Sequence, residues 1–274
     1  MKSFVSRRLR NLALLALALA PITWFLLESA ARLGRPDFIS GYLLLVSIVF
    51  LALYNLRKKA PIAVAFSSAS WLQLHTYVGL GTAVLFGLHV DWRLPDGILE
   101  SLLATLYWLT FLSGVVGLIW TRTVPKQLAR VSEEFVYERI PALRQQIYER
   151  AQQVVLETVR ATGNNTLGEF FSERLQGYLE KPRGLGYWLR PTSEVRKRLL
   201  AELTEVTRYL SEPERQAGEQ IFSLVRRRDD LDYHAALQWR LKAWLFMHIG
   251  LTYPLVMVAV VHGLVVHLFD GGAL

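Results

Sequence analysis

The sequence predicts an all-α membrane protein of five transmembrane helices, with a helical cytoplasmic insertion between the fourth and the fifth. Three observations carry that expectation. Hydrophobic residues make up 52% of the 274-residue chain and are gathered into discrete apolar runs separated by charged connections. The runs approach or exceed the ~20 residues that a helix needs to cross a hydrocarbon core ~30 Å thick. Lysines and arginines concentrate in alternate connections, as the positive-inside rule requires of a multi-pass chain.

A basic N-terminus with Lys2, Arg7, Arg8 and Arg10 precedes an apolar run from Asn11 to about Leu27. A basic start followed by an apolar run also describes a signal peptide, but no small-residue cleavage site precedes the next charges. The run continues through Pro21, so it is expected to be a first membrane helix kinked there. Helix two is expected over Ser40–Leu56, ending at Arg57, Lys58 and Lys59, and helix three over about Ser70–Val90. The connection 91–97 (Asp-Trp-Arg-Leu-Pro-Asp-Gly) turns the chain into helix four, Ile98–Trp120, and helix five is Trp239–Phe269. The expected division is therefore 1–121, 122–238 and 239–274. The basic connections at the N-terminus, at 57–59 and after 121 all fall on one side. The expected setting is thus the inner membrane of a bacterium, with the N-terminus cytoplasmic and the C-terminus periplasmic.

Between Arg122 and Arg240 the chain carries 20 Lys/Arg and 17 Asp/Glu, nearly balanced. This segment reads as a helical domain. Thr166…Glu169 and Ser211…Glu214 have capping-box spacing, while Pro182, Gly184, Gly186 and Pro191 break its middle. Leu199, Leu203, Val206 and Leu210 recur at helical spacing and form an apolar face. No phosphate-binding loop, dinucleotide fingerprint or nucleophile motif occurs, so a helical cap that packs on the membrane domain or docks a partner is the simplest reading. The net charge of +8 follows membrane topology, and nucleic acid is not an expected partner.

There is no cysteine in the chain, which excludes disulfides, thiolate metal sites, iron–sulfur ligation and covalent haem attachment. Histidine is the residue type that stands out. His75 and His89 lie 14 residues apart in helix three, and His248 and His262 repeat that interval in helix five. Fourteen steps of ~100° return to within roughly 40° of the starting face, about 21 Å further along the axis. One histidine then falls in each half of the hydrocarbon core. Separated by one intervening helix, helices three and five run parallel, so His75 levels with His248 and His89 with His262.

A lone membrane histidine often only bonds a neighbouring helix, but ionisable residues at this depth are costly and default to function. Two imidazoles per level suit a bis-histidine, low-spin haem, whereas zinc takes three or four converging ligands. Gly79, Gly81, Gly87, Gly250 and Gly263 could make room for a flat macrocycle or simply allow close helix packing. Pro254 could bend helix five between the two levels. Arg93 on one side, and Arg240 or Lys242 on the other, are candidate partners for haem propionates or plain interfacial anchors. His267 is off the face of His262, and His234 precedes helix five; neither is expected to ligate.

The His75/His89 and His248/His262 pairs resemble those of the dihaem membrane cytochromes b, both the respiratory cytochrome b and the ferric reductase-like transmembrane group. The resemblance covers helices three to five. It implies two haem b groups, with iron held by His75 with His248 and by His89 with His262. By the same likeness the chain would carry electrons across the membrane as an electron-transfer subunit of an oxidoreductase. Expected partners are membrane lipid, a quinone, and separate redox subunits such as a periplasmic cytochrome or an iron–sulfur protein. The chain lacks a Pro-Glu-Trp quinol-site sequence and any flavin or nicotinamide domain after helix five. Two other functions fit the same helices: a histidine-lined metal or ion transporter, and a non-redox membrane anchor for a partner complex.

Overall fold

Each apolar run becomes a helix that continues past its apolar part, and the described residues contain no strand. The computed structural model describes residues 2–32, 35–56, 67–129 and 135–269. The basic run 57–59, Arg130 and the tail 270–274 lie outside them. The helices that take up the apolar runs are α1 (Lys2–Ala31), α2 (Pro36–Leu56), α3 (Ser68–His89), α4 (Ile98–Leu128) and α10 (Glu212–Phe269). Between the last two come α5 (Ile140–Thr162), α6 (Thr166–Phe170), α7 (Gln176–Glu180), α8 (Leu185–Leu189) and α9 (Glu194–Thr207). Four helices, α1, α2, α4 and α10, are long and apolar enough to cross a membrane. The shortfall against five expected spans is α3, whose 22 residues include Gln73, His75, Thr76, Gly79, Gly81 and Thr82.

The chain divides into two compact units: Met1–Ile119 with Trp244–Leu274, and Trp120–Ala243. In the first, α3 packs backbone to backbone against α2 and, less extensively, against α1. Leu44 and Ile48 of α2, Leu85 and Phe86 of α3, Tyr107 of α4 and Leu255 of α10 share one buried cluster. Phe86 and Tyr107 stack with centroids 4.2 Å apart and planes 5° from parallel. Thr82 Oγ1 donates to the Gly79 carbonyl at 2.7 Å and accepts from the Tyr107 hydroxyl at 3.2 Å, so the buried phenol keeps a partner. Helix α3 ends in a Schellman-type turn: Trp92 N–H donates to Gly87 O at 3.0 Å, with Asp91 left-handed at φ 49°. Trp92 follows at φ 55°, a conformation unfavourable for a bulky residue, and its indole covers Gly87.

Helix α10 begins at Glu212, well before the expected Trp239, because its polar first half still has a buried face. Ala217, Ile221, Val225, Leu231 and Ala235 on that face join the core of the second unit. At Ser211 the return half of the expected box forms: its backbone N–H donates to Glu214 Oε2 at 2.9 Å, and its hydroxyl donates to the same oxygen at 2.6 Å. At the other expected box the register shifts by one. Thr166 is already helical, Asn165 precedes the helix, and Asn165 Nδ2 donates to Glu169 Oε1 at 3.4 Å. Leu199, Leu203 and Leu210 are buried as the apolar face requires, with Val206 partly so. A π-turn over Phe171–Leu175 joins α6 to α7 and lets the consecutive Phe170 and Phe171 both enter the core. Helix α5 ends on Gly163 at φ 70°, the left-handed position that glycine fills without a Cβ penalty.

Tyr178 of α7 donates its buried hydroxyl to Asp229 Oδ1 at 3.2 Å, and Arg183 lies over its ring, 3.8 Å from the centroid. Burial holds the pKa values of Tyr178 and Tyr187 above the ordinary phenol value. A raised folded-state pKa contributes stability fully present below the unfolded value of ~10 and lost as pH rises through the folded one. Unfolding of the second unit should therefore become easier above pH ~10. Thermal melts across that range should fall less steeply for Tyr178→Phe than for the wild type; equal slopes would refute the assignment.

Candidate cofactor site

In the first unit His75 lies beside His248, and His89 beside His262. The ring centroids of His75 and His248 lie 6.4 Å apart, with planes at 75°. Those of His89 and His262 lie 6.3 Å apart, with planes at 83°. Metal–imidazole bonds are about 2 Å long and a ring nitrogen sits about 1 Å from its centroid, so one metal atom between two imidazoles separates the centroids by about 6 Å. Among the described residues no backbone approach like that of α2 on α3 joins α3 to α10.

Neighbouring helices orient these rings. Ser113 Oγ donates to the Thr110 carbonyl at 2.7 Å, so at 2.7 Å from His248 Nδ1 it must accept. His248 therefore carries its proton on Nδ1 and keeps the Nε2 lone pair for a ligand. His89 Nδ1 lies 3.1 Å from the Asp37 carbonyl and 3.3 Å from Ser40 Oγ, whose own proton goes to the same carbonyl at 3.0 Å. A carbonyl only accepts, so His89 takes the same tautomer. An Nδ1–H bonded to a carbonyl or hydroxyl is the usual support for a metal-bound imidazole, because it fixes the ring and raises ligand basicity. His75 Nδ1 is buried and makes no well-formed hydrogen bond among the described residues, the Leu51 backbone being its polar neighbour. Tyr54 packs beside the His75 ring at 5.1 Å.

Room for the rings comes from glycines the sequence did not single out. A Cβ on Gly41 would meet His89 Cε1 at 2.9 Å, and one on Gly114 would meet His248 Cε1 at 3.5 Å. Each follows a supporting serine, so Ser40-Gly41 and Ser113-Gly114 repeat one dipeptide, a signal present in the sequence. Trp244 lies flat on Gly117, stacks on His248 at 5.7 Å and 22°, and donates Nε1–H to the Ser113 carbonyl at 2.7 Å. Of the expected glycines, Gly79, Gly250 and Gly263 have no atom within 4 Å of an added Cβ. Gly81 instead receives Leu15 and Leu19 of α1, the helix-packing role, and Gly87 receives Trp92. Helix α10 runs through Pro254.

Elsewhere the candidates are otherwise engaged. Arg93 is exposed and pairs with Asp91 at 3.0 Å. Arg240 belongs to the second unit, where its guanidinium lies over Trp120, and Lys242 there pairs with Glu138 at 3.2 Å. His267 Nδ1 lies 3.1 Å from the Tyr42 hydroxyl, and His234 packs edge-on against Phe135 in the second unit. Among the described residues no three His, Asp or Glu side chains gather as a metal cluster would need. No protein-family model, curated protein or solved structure matches this chain.

Proposed function

We propose that the protein is the membrane subunit of a quinone-linked redox complex. In this reading it conducts electrons across a bacterial inner membrane through two b-type haems, bound by His75 with His248 and by His89 with His262. The observation that carries the reading is the two centroid separations, 6.4 and 6.3 Å, each the span of one imidazole–metal–imidazole unit. Bound there, haem would supply a low-spin one-electron centre, because two histidines leave no open coordination position. The chain's own residues do the rest: Ser113 and Asp37 hold the donor tautomers, and Gly41 and Gly114 let the rings seat.

In this reading α3 is the fifth span, less apolar than the others because it carries two of the four ligand histidines. With the basic connections on the cytoplasmic side, residues 122–238 would be cytoplasmic and the C-terminus periplasmic. Quinone and a separate redox protein would be the electron partners.

A pyridine haemochrome assay of the purified, fully loaded chain should give two b-type haems per polypeptide. One or none would sink the proposal. Bound transition metal without haem would support a transporter instead, and neither would leave a membrane anchor.

A further inference from the structure

Arg144, Arg183 and Arg228 converge in the core of the second unit. Three guanidiniums meet one carboxylate, that of Asp232, whose side chain is fully buried. Arg183 Nε donates to Asp232 Oδ2 at 2.7 Å. Arg144 Nη2 and Arg228 Nη1 stand 2.6 and 3.2 Å from Oδ1, at angles that make no hydrogen bond. Arg228 is 1% exposed, and its one aligned bond runs from Nη2 to the Lys181 carbonyl at 3.1 Å. Arg144 Nε and Nη2, Arg183 Nη2, and Arg228 Nε and Nη1 are all buried without an aligned acceptor among the described residues. The neighbouring Asp229 does not supply one: its oxygens are taken by Tyr178, Ser193 and Arg196, and Asp230 also pairs with Arg196. Arginines are never neutral in proteins, so three guanidiniums around one carboxylate share a single counter-charge and keep several donors without an aligned acceptor.

We propose that Arg144, Arg183 and Arg228 form a binding site for a phosphate-class oxyanion, completed by that anion beside Asp232. A tetrahedral dianion offers several acceptor oxygens to converging guanidinium forks, the geometry in which arginine outperforms lysine. Entry is from the side of Arg144 and Arg183, whose side chains keep 18% and 13% exposure. Anion binding would tie α5, the 181–184 connection and α10 together, a means for a soluble phosphate compound or a lipid phosphate headgroup to set the stability of this unit.

The test uses the detergent-purified full chain at constant ionic strength. Inorganic phosphate, titrated against chloride, should raise the melting temperature saturably. Arg183→Gln should weaken apparent phosphate affinity about tenfold or more, one charge-assisted hydrogen bond. Asp232→Asn should do the opposite, melting lower without phosphate but binding it more tightly, because the competing carboxylate is gone. A merely structural cluster would lose stability in both variants with no phosphate response. Should Asp232→Asn fail to fold, the less buried Arg183→Gln decides alone. Protection by vesicles containing phosphatidic acid, but not by phosphate or by phosphatidylcholine, would assign the same site to a lipid headgroup. No saturable effect of either probe, or an effect unchanged in Arg183→Gln, overturns the proposal.

Discussion

His75→Ala and His248→Ala should each remove the same redox component, while His89→Ala and His262→Ala remove the other. The haem content of every single variant should fall from two per chain to one. The argument is geometric: the facing rings are 6.4 and 6.3 Å apart, whereas the two levels are separated by about 21 Å of helix. Crossed pairing would need one helix to slide by that distance, more than tilt can absorb in a core ~30 Å thick. The tautomer-setting groups predict a weaker, graded effect. Ser113→Ala leaves His248 in place without its hydrogen bond, so it should shift the potential or occupancy of the His75/His248 component by roughly the 10–100-fold in affinity typical of such supports. Redox titration of the membranes checks both. If His75→Ala and His248→Ala abolish different components, the pairing is wrong.

Asp232→Ala should be the most destabilising substitution in the second unit, at about 3–5 kcal/mol, because it strands three guanidiniums in a buried site. For a unit of this size that corresponds to a fall of roughly 10 °C or more in Tm. Asp230→Ala is the control. Its carboxylate is 35% exposed and pairs with Arg196 at 3.5 Å, so it should cost under about 1 kcal/mol. Tryptophan-fluorescence melts of the purified variants compare the two directly. Similar losses would mean that the buried cluster is solvated in solution and carries little of the unit's stability.

The apolar runs, the face of Leu199, Leu203 and Leu210, and the cap at Ser211 were all readable from the chain, because each depends on residues within a few turns of one another. The histidine interval was legible for the same reason: helix periodicity alone sets the levels of His75 and His89, and of His248 and His262. What local pattern could not decide was which neighbours meet these rings. Ser40 lies 49 residues from His89, and Ser113 lies 135 from His248. Only the packing of α2 on α3, and of Trp244 on Gly117, brings such pairs together. Tertiary structure likewise chose between two readings of the same residue type, leaving Gly79 open and filling Gly81 with Leu15. It extended α10 back to Glu212 by burying one face of a polar stretch, and it brought Arg144 of α5 and Arg183 of the 181–184 connection to Arg228 and Asp232 on α10. Spacing along a helix is a property of the chain; which faces meet across helices is fixed only when the whole set of side chains is packed.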